Sequence, residues 1–393
     1  MQVGPSYLTL GRLKTGALGI AIVALMLTLI RAIGSTENFF ESYLLSFLFW
    51  LGLALGCFVL LLVVHLAGGS WGAIIRRPLE AGVAVIPLMA LLFIPLLFGL
   101  DQLFSWTDPE YLKSHPTVAI KTGLYLNIPF FIVRAALYFV LWLAGAIIFI
   151  RLSGQQDNTH LNSGKIAYRM KGFAGVWIVI YILTMTFAAT DWAMSLTPVF
   201  WSGIYPVILM ISQAITGMAF IIIVMSLLSR KLPQINALLT GKRLQDYGNF
   251  LMAFTMFWAY TSFSQLIILW SNNVVETASW YVLRLGTGWN IVAGSLLVFG
   301  FFAPFLILFS RWVKRKKLTL SLVAVWAIVV QITNIFWFIV PTFARTGIQI
   351  TTLDITIFIG IGGLWLWVFA HALAARPIIP LNDPRISQVT SNG

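Results

Sequence analysis

The chain has 393 residues, 60% of them hydrophobic and only 9% charged. Soluble domains carry roughly 25% charged residues, so a soluble globular protein is excluded: a bilayer can absorb this much apolar surface, and a water-surrounded core cannot. The formal net charge of +13 does not point to nucleic acid, because the basic residues sit in short runs between long apolar stretches, the pattern that orients membrane proteins.

A bilayer core about 30 Å thick needs about 20 apolar residues in a helix. In chain order, runs of that kind predict ten spans at 17–33, 43–66, 82–104, 127–151, 172–190, 204–228, 247–271, 288–310, 318–340 and 350–372. The first run lacks a small-residue cleavage site after it and reads as a retained span. The connections are short, so the expected fold is a single all-α polytopic membrane domain over 1–393. Its parts are an N-terminal tail with the first span (1–42), a four-helix bundle (43–190), a second four-helix bundle (204–340), a last span (350–372) and a tail (373–393). Pro87, Pro95, Pro129, Pro206 and Pro304 fall within or at the ends of spans, where neighbouring helices can satisfy the carbonyls they free.

Ten spans sort the charges by side. The segments at 12–14, 76–77, 151–171, 230–243, 311–317 and 376–385 hold 19 of the 25 Lys and Arg. Arg31, Lys113, Lys121, Arg284 and Arg345 fall on the other side, and Arg134 lies inside a span. By the positive-inside rule both termini are expected in the cytoplasm. Trp71, Trp106, Trp192, Trp201, Trp270, Trp280, Trp289 and Trp312 fall near predicted span ends, as interfacial anchors would. A weak internal repeat joins the two bundles: Lys121-Thr-Gly-Leu-Tyr-Leu-Asn127 opens the fourth span, Arg284-Leu-Gly-Thr-Gly-Trp-Asn290 opens the eighth, and both helices end at an arginine, Arg151 or Arg311. An offset of four spans preserves orientation, so the repeat would be parallel, about an axis normal to the membrane.

Ionisable residues at membrane depth are functional candidates by default. On the outer side, Arg134, Asp101 and Asp191 predict a polar cluster with Asn127 and Tyr125 nearby. It reads either as a functional site or as a structural ion pair locking the bundle. On the cytoplasmic side, His65 precedes Gly68-Gly69-Ser70-Trp71-Gly72, Arg76, Arg77 and Glu80, and His371 ends the tenth span at the same level. A histidine beside a carboxylate can relay protons; the alternative is a histidine in an interfacial turn that docks a neighbouring subunit. Gln213, Gln265, Gln331, Asn334 and Ser264 line a hydrated path between the clusters or act as interhelical hydrogen-bond glue. Cys57, the single cysteine, leaves no disulfide or Cys-ligated metal within the chain. Of the histidines at 65, 115, 160 and 371, only His65 and His371 share a level, and that level is interfacial. No metal, haem or other cofactor is therefore expected on this chain, and no catalytic centre.

Three stretches carry a family resemblance. They are His65–Ala81 (HLAGGSWGAIIRRPLEA), Thr190–Trp201 (TDWAMSLTPVFW) and the run from Phe257 to Trp289 (FWAYTSFSQLIILW…ETASWYVLRLGTGW). In order and over essentially the whole chain, they resemble the shorter of the two paralogous membrane subunits of alternative complex III. Both of those paralogues are of the NrfD/polysulphide-reductase membrane-anchor type, and their complex is a bacterial quinol:electron-acceptor oxidoreductase. The resemblance implies two shared four-helix bundles and a bacterial inner-membrane location. As partners it implies the longer NrfD-like paralogue, with iron–sulfur and multihaem cytochrome c subunits carrying the electrons. It further implies a non-redox scaffold with a proton path and a menaquinone or quinol as ligand. The positions matching such a path are His65, Arg77 and Glu80 inside and Asp101, Arg134 and Asp191 outside, with Gln265 and His371 as further candidates. No carboxylate lies between the two clusters, so a continuous path would need water, amides or hydroxyls. A stand-alone secondary transporter and the anchor of a polysulphide- or nitrite-reductase-type complex remain the competing readings.

Overall fold

The computed structural model describes residues 7–34, 38–159, 161–272, 274–286, 288–343, 347–380 and 382–386. Every regular element among them is helical. Among the described residues, ten helices are long and apolar enough to cross a membrane, the architecture of a multi-pass membrane protein. They are α1 (Lys14–Arg31), α2 (Phe39–Ala67), α3 (Ser70–Phe98), α4 (Ile128–Asn158), α5 (Ser163–Leu196), α6 (Tyr205–Lys231), α7 (Gly241–Asn272), α8 (Trp289–Phe309), α9 (Lys317–Thr342) and α10 (Thr352–Ala374).

The helices α2 and α6 form the spine. They are the most buried of the ten and pack along each other. Their approach is set by glycine: a Cβ on Gly56 would lie 2.0 Å from the Gln213 carbonyl oxygen, and one on Gly217 would lie 2.7 Å from the Gly56 carbonyl carbon. Lipid tails offer helices no hydrophobic reason to associate, so close backbone approach through small residues does that work. Around α2 pack α3, α5 and α10; α4 packs on α5 and α3; around α6 pack α7 and α9, with α8 on both of these. Helix α1 lies on α10, where Gly363 meets Ala21 and Gly360 meets Leu25. A turn of π-helix over Leu296–Phe302 widens α8 just before Pro304.

One span differs from its predicted bounds in a way that matters. Hydropathy starts the third span at 82, but its helix starts at Ser70. Gly68 (φ 68°) and Gly69 (φ 85°) adopt the left-handed backbone that glycine tolerates, so α2 reverses immediately into α3. Arg76, Arg77 and Glu80 therefore lie inside a packed helix, where a loop was expected. The tryptophans also divide. Trp201, Trp270 and Trp312 are exposed, as anchors would be, whereas Trp106, Trp192, Trp280 and Trp289 are core residues, buried to 2% exposure or less.

Candidate functional site

The basic residues concentrate at one end of the helices, here called the basic end; the opposite end is the far end. Each carries a buried charge cluster.

At the basic end, Arg76 is fully buried. Its Nε donates to Glu80 (2.8 Å), one Nη donates to Gln156 (2.6 Å) and to Asp383 (2.8 Å), and the other donates to Ser153 (2.8 Å). Arg77, one residue on, donates to the second oxygen of Glu80 (2.7 Å), to Ser153 and to Asp157. The i, i+3 and i, i+4 spacings of α3 put both arginines on the one carboxylate, and α4 supplies Ser153, Gln156 and Asp157. Asp383 comes from the C-terminal segment, where Arg385 pairs with it (2.7 Å) and also donates to the Val64 carbonyl. Burial alone would raise the Asp383 carboxyl, but the Arg385 hydrogen bonds and the charge of Arg76 hold it well below the usual carboxylate range. His65 is buried and stacks on Phe149, with ring centroids 5.4 Å apart, and its Nε2 has no partner among the described residues.

The expected relay from His65 to Glu80 is not assembled: both Glu80 oxygens are taken by Arg76, Arg77 and Ser153. His371 is exposed against Trp367 and stands outside the cluster, because the last turn of α10 faces it away from α3. Sequence reasoning named Arg77 and Glu80 but missed Arg76 as the hub, and missed Asp157 and Asp383. The sole signal for Asp383 was an acidic residue between prolines, in Pro380-Leu-Asn-Asp-Pro-Arg385.

At the far end, Arg134 of α4 grips Asp191 of α5 with two parallel bonds of 2.8 Å, the bidentate geometry suited to a guanidinium. Tyr138, one helical turn further along α4, donates to the same carboxylate (2.8 Å), and a further Arg134 N–H donates to the Tyr125 carbonyl (2.9 Å). The guanidinium also lies 3.8 Å over the Tyr125 ring. Burial, with the Asp191 carboxylate nearby, pushes the Tyr125 hydroxyl well above the usual phenol range. Asn127 caps α4 by accepting from the Phe130 amide.

Asp101 does not join the pair. The 3-10 turn Ile94–Phe98 ends α3, and the short helix Leu100–Leu103 turns Leu100 and Leu103 inward and leaves Asp101 exposed, its carboxylate accepting, among the described residues, only from the Gln102 amide. Beside the pair opens a cavity of about 300 Å³, lined by Lys121, Tyr125, Met194, Ser195, Phe200 and Trp201 among others.

Between the two ends, amides and hydroxyls meet where α2, α5, α6 and α9 converge. Tyr181 donates to Gln213 (2.7 Å), and Asn334 donates to Ser212 (3.1 Å) and to Gln331 (3.3 Å). The Asn334 oxygen is buried without a partner among the described residues, and Ser212, Gln213, Gln331 and Asn334 border a cavity of about 40 Å³. Gln265 lies apart from this group, buried and accepting from Ser202 in the α5–α6 connection (3.1 Å).

Among the described residues no three His, Cys, Asp or Glu side chains converge as metal ligands. No protein-family model matches the chain, and no curated protein matches it.

Proposed function

We propose that this chain is a non-redox integral-membrane subunit of a quinol-oxidising electron-transfer complex, of the NrfD type and resembling the shorter of the two such paralogues in alternative complex III. It would serve as scaffold and proton conduit in a bacterial cytoplasmic membrane, with its basic end in the cytoplasm. The observation that carries this reading is the placement of buried polar groups: one charge cluster at each end, with amides and hydroxyls between them around a central cavity. That cavity, at about 40 Å³, has room for water and is too small for a metabolite, which favours a conduit over a solute transporter.

The packing supports the expected pair of four-helix groups. Helices α2–α5 contact one another, α6–α9 contact one another, and α2 meets α6. The sequence repeat has a structural counterpart as well. Lys121, which opens the first copy, donates to the Pro198 carbonyl just past α5 (2.9 Å). Arg284, which opens the second, donates to the Trp337 and Phe338 carbonyls near the end of α9 (3.0 and 2.6 Å).

The far-end cavity fits a quinone head: Leu124, Met194, Phe200 and Trp201 supply apolar walls, and Lys121 and Ser195 supply polar atoms. A bound quinol would contribute two electrons and two protons, with iron–sulfur and haem c groups of partner subunits accepting the electrons. This chain's own part would be to hold the ring and to carry protons past Asp191 toward Gln213 and Gln331.

The test is purification of the tagged native protein in mild detergent, with mass spectrometry of the co-purifying chains and a visible spectrum. Co-purification of a paralogous membrane protein, an iron–sulfur protein and a multihaem cytochrome c is the expected result. A lone, colourless, monodisperse protein would overturn the proposed membership of a complex.

A further inference from the structure

A second sizeable cavity, about 190 Å³, opens at the basic end where α3, α4 and the end of α10 meet. Its walls are small and apolar, with Ala81 and Ala84 from α3, Ile150 from α4 and Leu373 from α10. Two arginines also line it. Arg77 belongs to the buried cluster, and Arg376 follows α10 and is half-buried. One Arg376 Nη donates to the Ile150 carbonyl (2.9 Å), and its remaining N–H groups have no partner among the described residues. Glu80 borders the cavity too, but both its oxygens are already held by Arg76, Arg77 and Ser153, so it offers a bound anion little repulsion.

Among the described residues, the charge around this cavity does not balance. Arg76, Arg77, Arg376 and Arg385 bring four positive charges. Glu80, Asp157 and Asp383 bring three negative ones, all of them paired with arginine. One guanidinium is left over: Arg376, which pairs with no carboxylate among the described residues and keeps free donors at the cavity. The room is that of about six waters, at about 30 Å³ each, and the apolar walls continue from the guanidinium along the membrane-spanning helices.

We propose that this cavity is a binding site for the headgroup phosphate of an anionic phospholipid, seated on Arg376 with its glycerol and first acyl carbons against Ala81, Ala84, Ile150 and Leu373. Basic pockets between transmembrane helices suit such headgroups, and the apolar walls favour a lipid-borne phosphate over a free one. The bound lipid would complete the neutralisation of the cluster that fixes α3 to α4 and to the C-terminal segment.

Native mass spectrometry of the purified protein, titrated with phosphatidylglycerol, phosphatidylcholine or inorganic phosphate, tests this. Phosphatidylglycerol should bind in preference to phosphatidylcholine. Arg376→Gln should weaken it about fivefold, the effect of one basic residue near an anionic headgroup. Ala84→Phe, which fills the cavity and leaves every charge in place, should abolish that binding, and its intact fold is checked by an unchanged thermal midpoint in phosphatidylcholine. Equal binding of the two lipids, or phosphatidylglycerol binding untouched by both substitutions, would overturn the proposal. Displacement of phosphatidylglycerol by millimolar inorganic phosphate would overturn the lipid source and leave a free-anion site.

Discussion

The far ends of the two halves answer the same problem, a buried arginine, in opposite ways. In the first half Arg134 faces a carboxylate, Asp191, beside Tyr138, Tyr125 and a cavity of about 300 Å³. In the second half Arg284, 1% exposed, has no carboxylate partner among the described residues. It is held by the carbonyls of Trp280, Trp337 and Phe338 and lies 3.7 Å over the Trp280 ring. Trp280 in turn packs against Phe200, Tyr205, Trp337 and Phe338. Burial pushes the Arg284 guanidinium down to about 9, so it stays charged at neutral pH. The carbonyls at a helix C-terminus carry partial negative charge, enough to seat a cation where no exchangeable proton is wanted. On the proposed function, a carboxylate beside an open cavity belongs where protons move. On the proposed reading, the difference assigns proton movement to the first half and closure to the second.

The comparison breaks first at Asp191. Asp191→Ala leaves Arg134 buried without a counter-ion and should cost about 3–5 kcal/mol, read as a fall in the thermal midpoint in detergent. The double replacement of Arg134 and Asp191 by leucine should recover most of that stability. If it also recovered quinol-dependent proton movement, the pair would be structural only. Arg284→Met should cost less, about 1–3 kcal/mol, because it orphans carbonyls and leaves no lone charge. A loss equal to that of Asp191→Ala would show that the halves are energetically alike. Smaller again, about 1 kcal/mol, is the expected cost of Lys121→Met, whose one bond goes to the Pro198 carbonyl.

The basic end offers a contrast by pH. The Asp383 carboxyl titrates lower in the folded protein than in an unfolded chain. Its stabilising contribution is therefore fully present above about pH 4, the ordinary aspartate value, and is lost as pH falls below it. Limited proteolysis of the segment after α10 should accelerate in that acid range and not between pH 5 and 8. Asp383→Asn should make it fast at neutral pH.

The sequence displays this architecture unevenly, for physical reasons. Apolar runs of bilayer length are read from composition alone, and all ten emerge as helices, most within several residues, with α5 starting nine residues early at Ser163 and α3 twelve early at Ser70. There the arginines look like loop residues, because hydropathy cannot register that Glu80, Asp157 and Asp383 neutralise them. Arg134 and Asp191 were legible because a charge inside an apolar run needs a partner at matching depth. Asp101 looked equivalent, but Pro95 and Gly99 break the helix and redirect its side chain. The α2–α6 spine was written as Gly52-x-x-x-Gly56 opposite Gly217. Small residues of this kind are common in membrane helices, so the pattern gains meaning only once its partner helix is known.

The partnership of Arg76 with Asp383, separated by 307 positions, has a consequence for biogenesis. A chain inserted in order delivers α3 to the bilayer long before Asp383, the second carboxylate on Arg76, exists. Until the segment after α10 docks, Arg76 has Glu80 but not Asp383, and the donor that Asp383 will satisfy is tolerable among apolar helices only while water still reaches it. Docking of that segment would therefore be a closing step of assembly, and a chain that fails it would keep a wet, polar seam open to whatever surveys membrane proteins for incomplete folding.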